Sequence, residues 1–260
     1  YGKNKKVEDE TISIELDVDK SDQSITQYRA AVVKEVVENL LTYSNVVPVS
    51  DPSIAKYKIL VTSRSNLNKN HSQADRKLLT VGAVVDQNDK KTSQQVAQDY
   101  IKQRQEDMHL ISVHKYGVRV RNDDAFLKLM EKLGSNAATL DLLEVKQSSS
   151  VTLISGDPKQ SFILYNSARM ETLMEKFELK VAEGYYKELP DVTEIDCSLL
   201  KEDEEWLLMK LLLTFPDVID RTSNELSQGK VSLHLIHKFI LSIVNTFSIY
   251  YRRCRLLTEN

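Results

Sequence analysis

The chain has 260 residues, of which 41% are hydrophobic and 28% are charged, a composition typical of folded globular domains. Its formal net charge of −3 argues against nucleic-acid binding through bulk positive charge, so any RNA contact must be local and DNA binding is not expected. No apolar run of about eighteen residues, the length that spans a membrane, and no charged-then-apolar leader is visible, so no membrane partner is expected. Two cysteines fit a reducing compartment, which predicts a cytoplasmic location.

The first part of the chain alternates between predicted strands and a predicted helix. Residues 11–18 alternate between apolar and polar side chains, which predicts a strand with Ile12, Ile14, Leu16 and Val18 on one face. Ser24 is expected to cap a helix over residues 25–43. Short apolar runs predict three further strands, at 46–49, 57–62 and 78–86. This order of elements favours an α/β unit.

The middle of the chain is predicted from weaker patterns. Residues 93–108 are compatible with a helix, whereas 109–121 return to alternation. Asp123 or Asp124 is expected to cap a helix that stops at Gly134 in the left-handed conformation. A domain boundary is predicted near residue 158, dividing the chain into an α/β domain, 1–158, and an α-helical domain, 159–260.

The predicted α-helical domain holds a bundle of four helices. The first has Ile163, Met170, Met174 and Phe177 on one face. The continuous apolar run 206–213 predicts a second helix that is buried on nearly all sides. Thr214 is expected to cap a third helix that ends near Leu226. A longer helix after Gly229 is predicted to carry a core stripe of Ile236, Ile240, Ile243, Phe247 and Tyr250.

No catalytic, cofactor or metal site is predicted. The glycines do not form a phosphate-binding loop, and neither the pair His109 and His114 nor the pair His234 and His237 has a third metal ligand nearby in sequence. The acidic run 202–205 is interpreted as the charged first turn of a helix rather than an acid/base pair. Enzymatic activity is therefore not expected.

Two polar stripes combine aromatic and basic side chains, which suit the bases and phosphates of single-stranded RNA. The first stripe comprises Tyr165, Arg169, Thr172 and Lys176. The second comprises Lys238, Asn245, Ser248 and Arg252, with Tyr250, Tyr251, Arg253 and Arg255 alongside. The alternative is that each stripe is an ordinary solvated helix face.

The segment 162–170, Phe-Ile-Leu-Tyr-Asn-Ser-Ala-Arg-Met, resembles the Tyr-x-x-Ala-Arg helix that opens the C-terminal domain of arginyl-tRNA synthetases. Residues 206–208 with 215–220, and 238–240 with 247–257, resemble the remaining helices of that DALR-type anticodon-binding domain. The variant Tyr-Asn-Ser-Ala-Arg at 165–169, with 183–185 and 197–200, is more similar to the DALR anticodon-binding domain-containing protein 3 family. The N-terminal domain then corresponds to a degenerate synthetase-like body, and the last helices of the DALR domain are expected beyond Asn260.

This resemblance implies a noncatalytic adaptor that binds arginine tRNAs through the anticodon arm. It also implies a partner, the methyltransferase that forms 3-methylcytidine in the anticodon loop. Synthetase signature motifs of the HIGH and KMSKS type are not found, so aminoacylation is not implied. The predicted RNA-binding residues are Tyr165, Arg169, Lys176, Lys238, Tyr250, Tyr251, Arg252, Arg253 and Arg255.

Two other functions stay open. The chain could be part of an arginyl-tRNA synthetase whose catalytic motifs lie outside this sequence. It could also be a protein-interaction module that kept the fold and lost RNA binding, since residues 161–260 hold more acidic than basic residues.

Overall fold

The computed structural model describes residues 10–17, 22–44, 46–63, 75–88, 92–116, 124–154 and 157–257. Contacts along the backbone divide the chain into two compact units. The first unit comprises Tyr1–Asp157 and Pro216–Lys238, and the second comprises Pro158–Phe215 and Phe239–Asn260. The polypeptide therefore leaves the first unit after Asp157 and returns to it for Pro216–Lys238.

A four-stranded parallel sheet forms the centre of the first unit. Its strands are β1 (Thr11–Leu16), β2 (Val47–Pro48), β3 (Tyr57–Thr62) and β4 (Lys77–Thr80), in the order β2-β1-β3-β4. Helix α1 (Ile25–Leu41) packs against β1 and β3. As predicted, Ser24 caps this helix, with its hydroxyl accepting the amide hydrogen of Gln27 at 3.2 Å. Val18 lies outside the described residues.

The predicted single strand over 78–86 is wrong, because the chain changes sheets within it. Strand β4 ends at Thr80, and β5 (Val84–Val85) pairs instead with β6 (Val151–Thr152). The change of direction falls at Gly82, where a Cβ atom would lie 2.4 Å from the Ser149 carbonyl carbon. Only glycine permits the two backbones to come this close.

Arg29 of α1 forms hydrogen bonds with both backbone segments that meet at Gly82. Its fully buried guanidinium donates to the carbonyl oxygens of Gly82 and Ser149 at 2.7 Å each, and to that of Leu142 at 3.0 Å. Burial lowers the pKa of Arg29 to about 10, so the group is still charged at neutral pH. The charge is stabilised by backbone dipoles that converge from separate loops.

In the described part of the alternating pattern, residues 109–116, the chain is helical and forms no strand. Helix α2 (Ala97–Tyr116) continues through His109, and the remainder of that pattern, 117–121, lies outside the described residues. The helix is favoured because α2 packs along α3 (Asp124–Leu143), which buries Met108 and brings the His109 and Phe126 rings to 5.7 Å. The contact requires side chains that recur at the period of a helix. The sequence pattern in this segment instead repeats every two residues, which is typical of a strand.

Gly134 does not stop a helix, contrary to the sequence-based expectation. It lies inside α3, and a Cβ atom there would be 2.6 Å from the Gln105 Cα of α2. The glycine is therefore a point of close helix approach rather than a left-handed cap. The cap at Gly134 was predicted from the local sequence pattern alone. The close packing of α2 against this position explains the glycine instead.

The first unit is completed by the returning segment. Helix α6 (Phe215–Ser223) starts where predicted and gives way to a short 3-10 turn at Leu226–Gln228. Gly229 follows with a φ of 78°, and a Cβ there would lie 2.4 Å from the Leu78 carbonyl oxygen of β4. The segment contributes buried apolar side chains to the core, at Ile219, Leu226, Val231 and Leu233.

The second unit is α-helical. It contains α4 (Pro158–Ala182) and α5 (Asp203–Leu213). It also contains the part of α7 (His234–Arg253) that begins at Phe239. On α7 the predicted core stripe is half-buried to buried, with Phe247 the most enclosed of its five members. On α4, Ile163 is buried and Met174 is exposed, which corrects the predicted apolar face. The predicted fold class, an α/β part followed by an α-helical part, is confirmed.

The prediction that α5 is buried on nearly all sides is wrong. None of its residues is buried, and Trp206 and Leu213 are 52% and 69% exposed. Its half-buried positions recur at helical spacing along one side: Glu204, Glu205, Leu208 and Leu211. An apolar run shows that a helix can be buried, but the number of neighbouring elements determines whether it is.

Candidate RNA interface

A stack of three side chains joins α4 to α7 in the second unit. Tyr165 and Arg169 lie one turn apart on α4, so both side chains project from the same face. The Cζ atom of Arg169 lies 4.5 Å from the centroid of the Tyr165 ring and 4.5 Å from that of Tyr251 on α7. The guanidinium is therefore held by two aromatic rings, one from each helix.

Hydrogen bonds fix the orientation of this arginine. Nη2 of Arg169 donates to the Tyr165 hydroxyl at 2.6 Å, and Nη1 donates to Oδ1 of Asn166 at 3.3 Å. Asn166 is fully buried and donates through Nδ2 to the Phe162 carbonyl at 2.9 Å. Since Arg169 is engaged by two rings and two hydrogen bonds, its first role is to position Tyr165 and Tyr251.

Tyr251 is the most accessible member of the stack. It is 36% exposed, and its ring centroid lies 5.7 Å from that of the buried Phe247 one turn earlier on α7. Packing against Phe247 and Arg169 restricts the ring to one orientation. A ring that is fixed on one side and open on another can accept a stacked base at low entropic cost.

Two exposed arginines follow Tyr251 in sequence at the end of α7. Arg252 is exposed, and its Nε donates to the Ser248 carbonyl at 3.2 Å. Arg255 is exposed just beyond the helix. Neither forms an ion pair with any residue of the described ranges. Their positive charges also lie at the negative end of the helix dipole, which favours the helical state of this segment.

Tyr250 and Arg253, unlike Tyr251, bind acidic side chains at the start of α5. The Tyr250 hydroxyl donates to Oε1 of Glu205 at 2.9 Å, and Arg253 pairs with Glu204 and, at 3.2 Å, with Glu202. Burial and the hydrogen bond to Glu205 raise the pKa of Tyr250 to about 12, so its phenol remains a donor. The hydrogen bond to Glu204 raises the pKa of Arg253. These two side chains join α7 to α5.

The last two predicted RNA-binding residues are lysines that are not members of the stack. Lys176 is exposed on α4, two turns after Arg169. Lys238 is exposed and belongs to the first unit, at the start of α7. The second unit therefore groups Tyr165, Arg169 and Tyr251 in one cluster, hereafter the arginine stack, with Arg252 and Arg255 following it in sequence.

The sequence patterns missed Asn166 and the acidic residues Glu202, Glu204 and Glu205 as parts of this region. A signal for Asn166 exists, because it lies three residues before Arg169 and shares its helix face. The acidic turn was predicted at the start of α5, and the structure places it there. Its pairing with α7 gives no sequence signal, since the partners lie about fifty positions apart.

Two other kinds of site are absent among the described residues. No group of three or more histidine, cysteine or acidic side chains in these ranges is arranged to hold a metal ion. No helix in the same ranges is both long and apolar enough to cross a bilayer. His237 is buried and His234 is half-buried, and burial lowers the pKa of His234.

Comparison with known proteins identifies the C-terminal segment. Residues 163–260 match the family model for the DALR anticodon binding domain. The DALR anticodon-binding domain-containing protein 3 of Danio rerio is 32% identical over 181 residues, which cover 63% of this chain and 32% of that protein. The Rattus norvegicus protein of the same name is 27% identical over 178 residues, covering 64% of this chain and 33% of that protein. This chain thus spans about a third of their length.

Arginine–tRNA ligases are also similar to the chain. Arginine–tRNA ligase 1 of Bacillus cereus is 36% identical over 61 residues, covering 24% of this chain and 10% of that protein. A solved arginyl-tRNA synthetase of Thermus thermophilus superposes with a TM-score of 0.49 at 12% identity, covering 96% of this chain and 34% of that one. The matches to the protein 3 relatives are longer than the DALR segment and extend into the N-terminal part. The arginine stack lies within residues 163–260, the segment that matches the DALR anticodon binding domain.

Proposed function

We propose that the chain is a noncatalytic adaptor that binds arginine tRNAs through the anticodon arm. The observation that carries the proposal is the position of the arginine stack inside the DALR segment, with Arg252 and Arg255 exposed directly after it. Anticodon loops present unstacked bases and closely spaced phosphates, which fit an oriented tyrosine ring next to two guanidinium groups. Similarity to arginine–tRNA ligases supports the choice of arginine tRNA.

In this proposal each side chain has a distinct task. Tyr251 accepts a base on the accessible part of its ring, while Arg169 and Tyr165 hold that ring in place. Arg252 and Arg255 contact phosphates, and Lys176 and Lys238 add attraction at longer range. Tyr250 and Arg253 support the site indirectly, because they fix the end of α7 against α5. With so few cations, the salt dependence of binding should be modest.

The adaptor role extends to a partner enzyme. The resemblance to the DALR anticodon-binding domain-containing protein 3 family implies that the bound tRNA is presented to the methyltransferase that forms 3-methylcytidine in the anticodon loop. Relatives of that name match beyond the DALR segment, which supports a shared architecture over both parts of the chain. A cytoplasmic location is part of the same proposal, and it fits two cysteines that are free thiols.

A synthetase fragment is the main competing function. The ligase similarity favours it, but the 36% identical match covers 24% of this chain. The sequence also lacks motifs of the HIGH and KMSKS type. Activation of arginine by ATP, measured as pyrophosphate exchange with the whole protein, separates the two functions. Exchange above background would replace the adaptor proposal with the synthetase one.

The test of RNA recognition is binding to arginine tRNA and to a non-arginine tRNA over a range of salt concentrations. The variant R252A/R255A should bind arginine tRNA roughly ten-fold less tightly, with a salt slope smaller by about 1.4 for two lost phosphate contacts. The control K102A/K128A removes the same charge from exposed positions of α2 and α3 and should bind like the unchanged protein. Equal binding of both tRNAs, or equal losses in the two variants, would contradict the proposal.

A further inference from the structure

Helix α5 exposes apolar side chains on most of its circumference. Leu207 and Leu212 are 47% and 55% exposed, in addition to Trp206 and Leu213. Because an α-helix advances 100° per residue, Trp206 and Leu213 share one side of α5, and Leu207 and Leu212 flank that side to the left and right. The opposite side is left for contact with the unit. Scattered single exposed leucines are normal on a protein surface, but a continuous set on one helix marks an interaction surface.

The exposed surface continues from α5 onto the segment before it. Nε1 of Trp206 donates to the Leu200 carbonyl at 3.0 Å, which holds the end of that segment next to the indole. Leu199 is exposed at this point, as is Val192 in the preceding 3-10 turn. We name the exposed apolar side chains Leu199, Trp206, Leu207, Leu212 and Leu213 the α5 face.

The surroundings of the α5 face are strongly negative. Residues 188–205 hold eight acidic residues and one lysine. Arg253 offsets part of the charge through Glu202 and Glu204. Hydrogen bonds from nearby hydroxyl and amide groups lower the pKa of Asp191 and of Asp196, so both remain ionised at neutral pH. Asp203 is exposed on α5 itself, where Lys210 is the one basic residue.

These observations together select one kind of partner. An apolar surface bordered by excess negative charge is complementary to a helix that carries leucine-like side chains on one face and lysine or arginine around it. The same charge repels phosphates, so RNA is disfavoured at the α5 face although Trp206 has a ring that a base could stack on. A membrane of anionic lipid is disfavoured for the same reason.

We propose that the α5 face is a docking site for a basic amphipathic helix of a partner protein. The partner's apolar side chains cover Trp206 and the exposed leucines, and its cations meet the carboxylates of residues 188–205. The inference rests on the surface of the second unit alone and does not depend on the RNA-binding function proposed above. It gives the chain two surfaces of opposite chemistry, one basic and aromatic, the other acidic and apolar.

Trp206 provides a direct readout, because it is the one tryptophan of the chain and lies in the proposed site. The probes are two synthetic amphipathic peptides with leucine at the same helical positions, one with lysine and one with glutamate at all others. The lysine peptide should shift the Trp206 emission to shorter wavelength, saturably and less at high salt. The variant L207S/L213S should weaken this binding about ten-fold.

A matched control distinguishes binding at the α5 face from nonspecific binding to exposed leucines. Leu127 and Leu129 of α3 are 48% and 49% exposed, so L127S/L129S removes equally accessible leucines elsewhere. That variant should bind the lysine peptide normally, and L207S/L213S should still bind arginine tRNA. Equal binding of the glutamate peptide, or no emission shift, would overturn the proposal. So would a shift caused by raising the protein concentration alone, which would indicate a second copy, or a shift caused by tRNA, which would indicate an RNA surface.

Discussion

At the scale of single residues, Arg169 shows why arginine and lysine are not equivalent. Its planar guanidinium lies between two rings and also donates to Tyr165 and Asn166. A lysine ammonium has no flat faces and cannot make the two oriented hydrogen bonds. The sequence could nominate Tyr165, Arg169 and Tyr251 as candidates, but not their stacking, because Tyr251 comes from a helix more than eighty positions later.

The variant R169K should lower the free energy of unfolding of the second unit by about 1 kcal/mol, since one ammonium replaces a doubly stacked guanidinium. Urea titration followed by Trp206 fluorescence measures it. The control R252K changes an exposed arginine that contacts no aromatic ring among the described residues, and it should stay within about 0.5 kcal/mol of the unchanged protein. If both variants unfold at the same urea concentration, Arg169 does not stabilise the unit through stacking.

At the scale of elements, the start of α5 depends on one carboxylate. Glu205 accepts the backbone amide hydrogens of Lys201 at 2.8 Å and of Glu202 at 3.0 Å, as well as the Tyr250 hydroxyl. These hydrogen bonds, first among them that of the Glu202 amide, lower the pKa of Glu205. The ionised form is favoured by folding, so its contribution is present above the ordinary pKa and is lost as pH falls through the lowered value.

The second unit should therefore lose stability on acidification from about pH 5 downward, and E205Q should lose less over the same range. Thermal unfolding at a series of pH values, followed by circular dichroism, measures the slope. Asp191 and Asp196 also have lowered pKa values, so the slope should decrease rather than vanish. The exposed α4 residue Glu178 supplies the control, E178Q. An identical slope in E205Q and the unchanged protein would show that Glu205 is not the group responsible.

Features that depend on residues nearby in sequence were predicted correctly. Features that depend on contacts with distant parts of the chain were not. The Ser24 cap and the alternation over Thr11–Leu16 lie within a few residues of what they determine, so α1 and β1 followed from the sequence. The burial of α5 and the environment of Gly134 depend on which helices lie beside them. A pattern in one segment carries no information about the number of its neighbours.

At the scale of the whole molecule, the first unit is discontinuous in sequence. It needs Pro216–Lys238, whose apolar side chains at Ile219, Leu226 and Leu233 are buried. The matched DALR segment, 163–260, includes this stretch, so the family segment and the compact units do not share boundaries. The boundary near residue 158 stays a prediction about how the chain divides.

A fragment of residues 1–157 tests that division. Without the returning segment it should leave apolar surface uncovered, bind a hydrophobic dye and lack a cooperative thermal transition. Adding a peptide of residues 216–238 should restore part of the transition, whereas a peptide with the same composition in scrambled order should not. Cooperative unfolding of the fragment alone would support residue 158 as a boundary between independently folding domains.

The return of the chain at Pro216 also sets an order of events during translation. Helices α4 and α5 are synthesised before the residues that complete the first unit. Part of the core of the nascent α/β part therefore stays uncovered until Lys238 has left the ribosome. Any factor that slows elongation between residues 158 and 238 prolongs that interval. Chaperone dependence during synthesis is thus expected from the path of the backbone, independently of how stable the finished protein is.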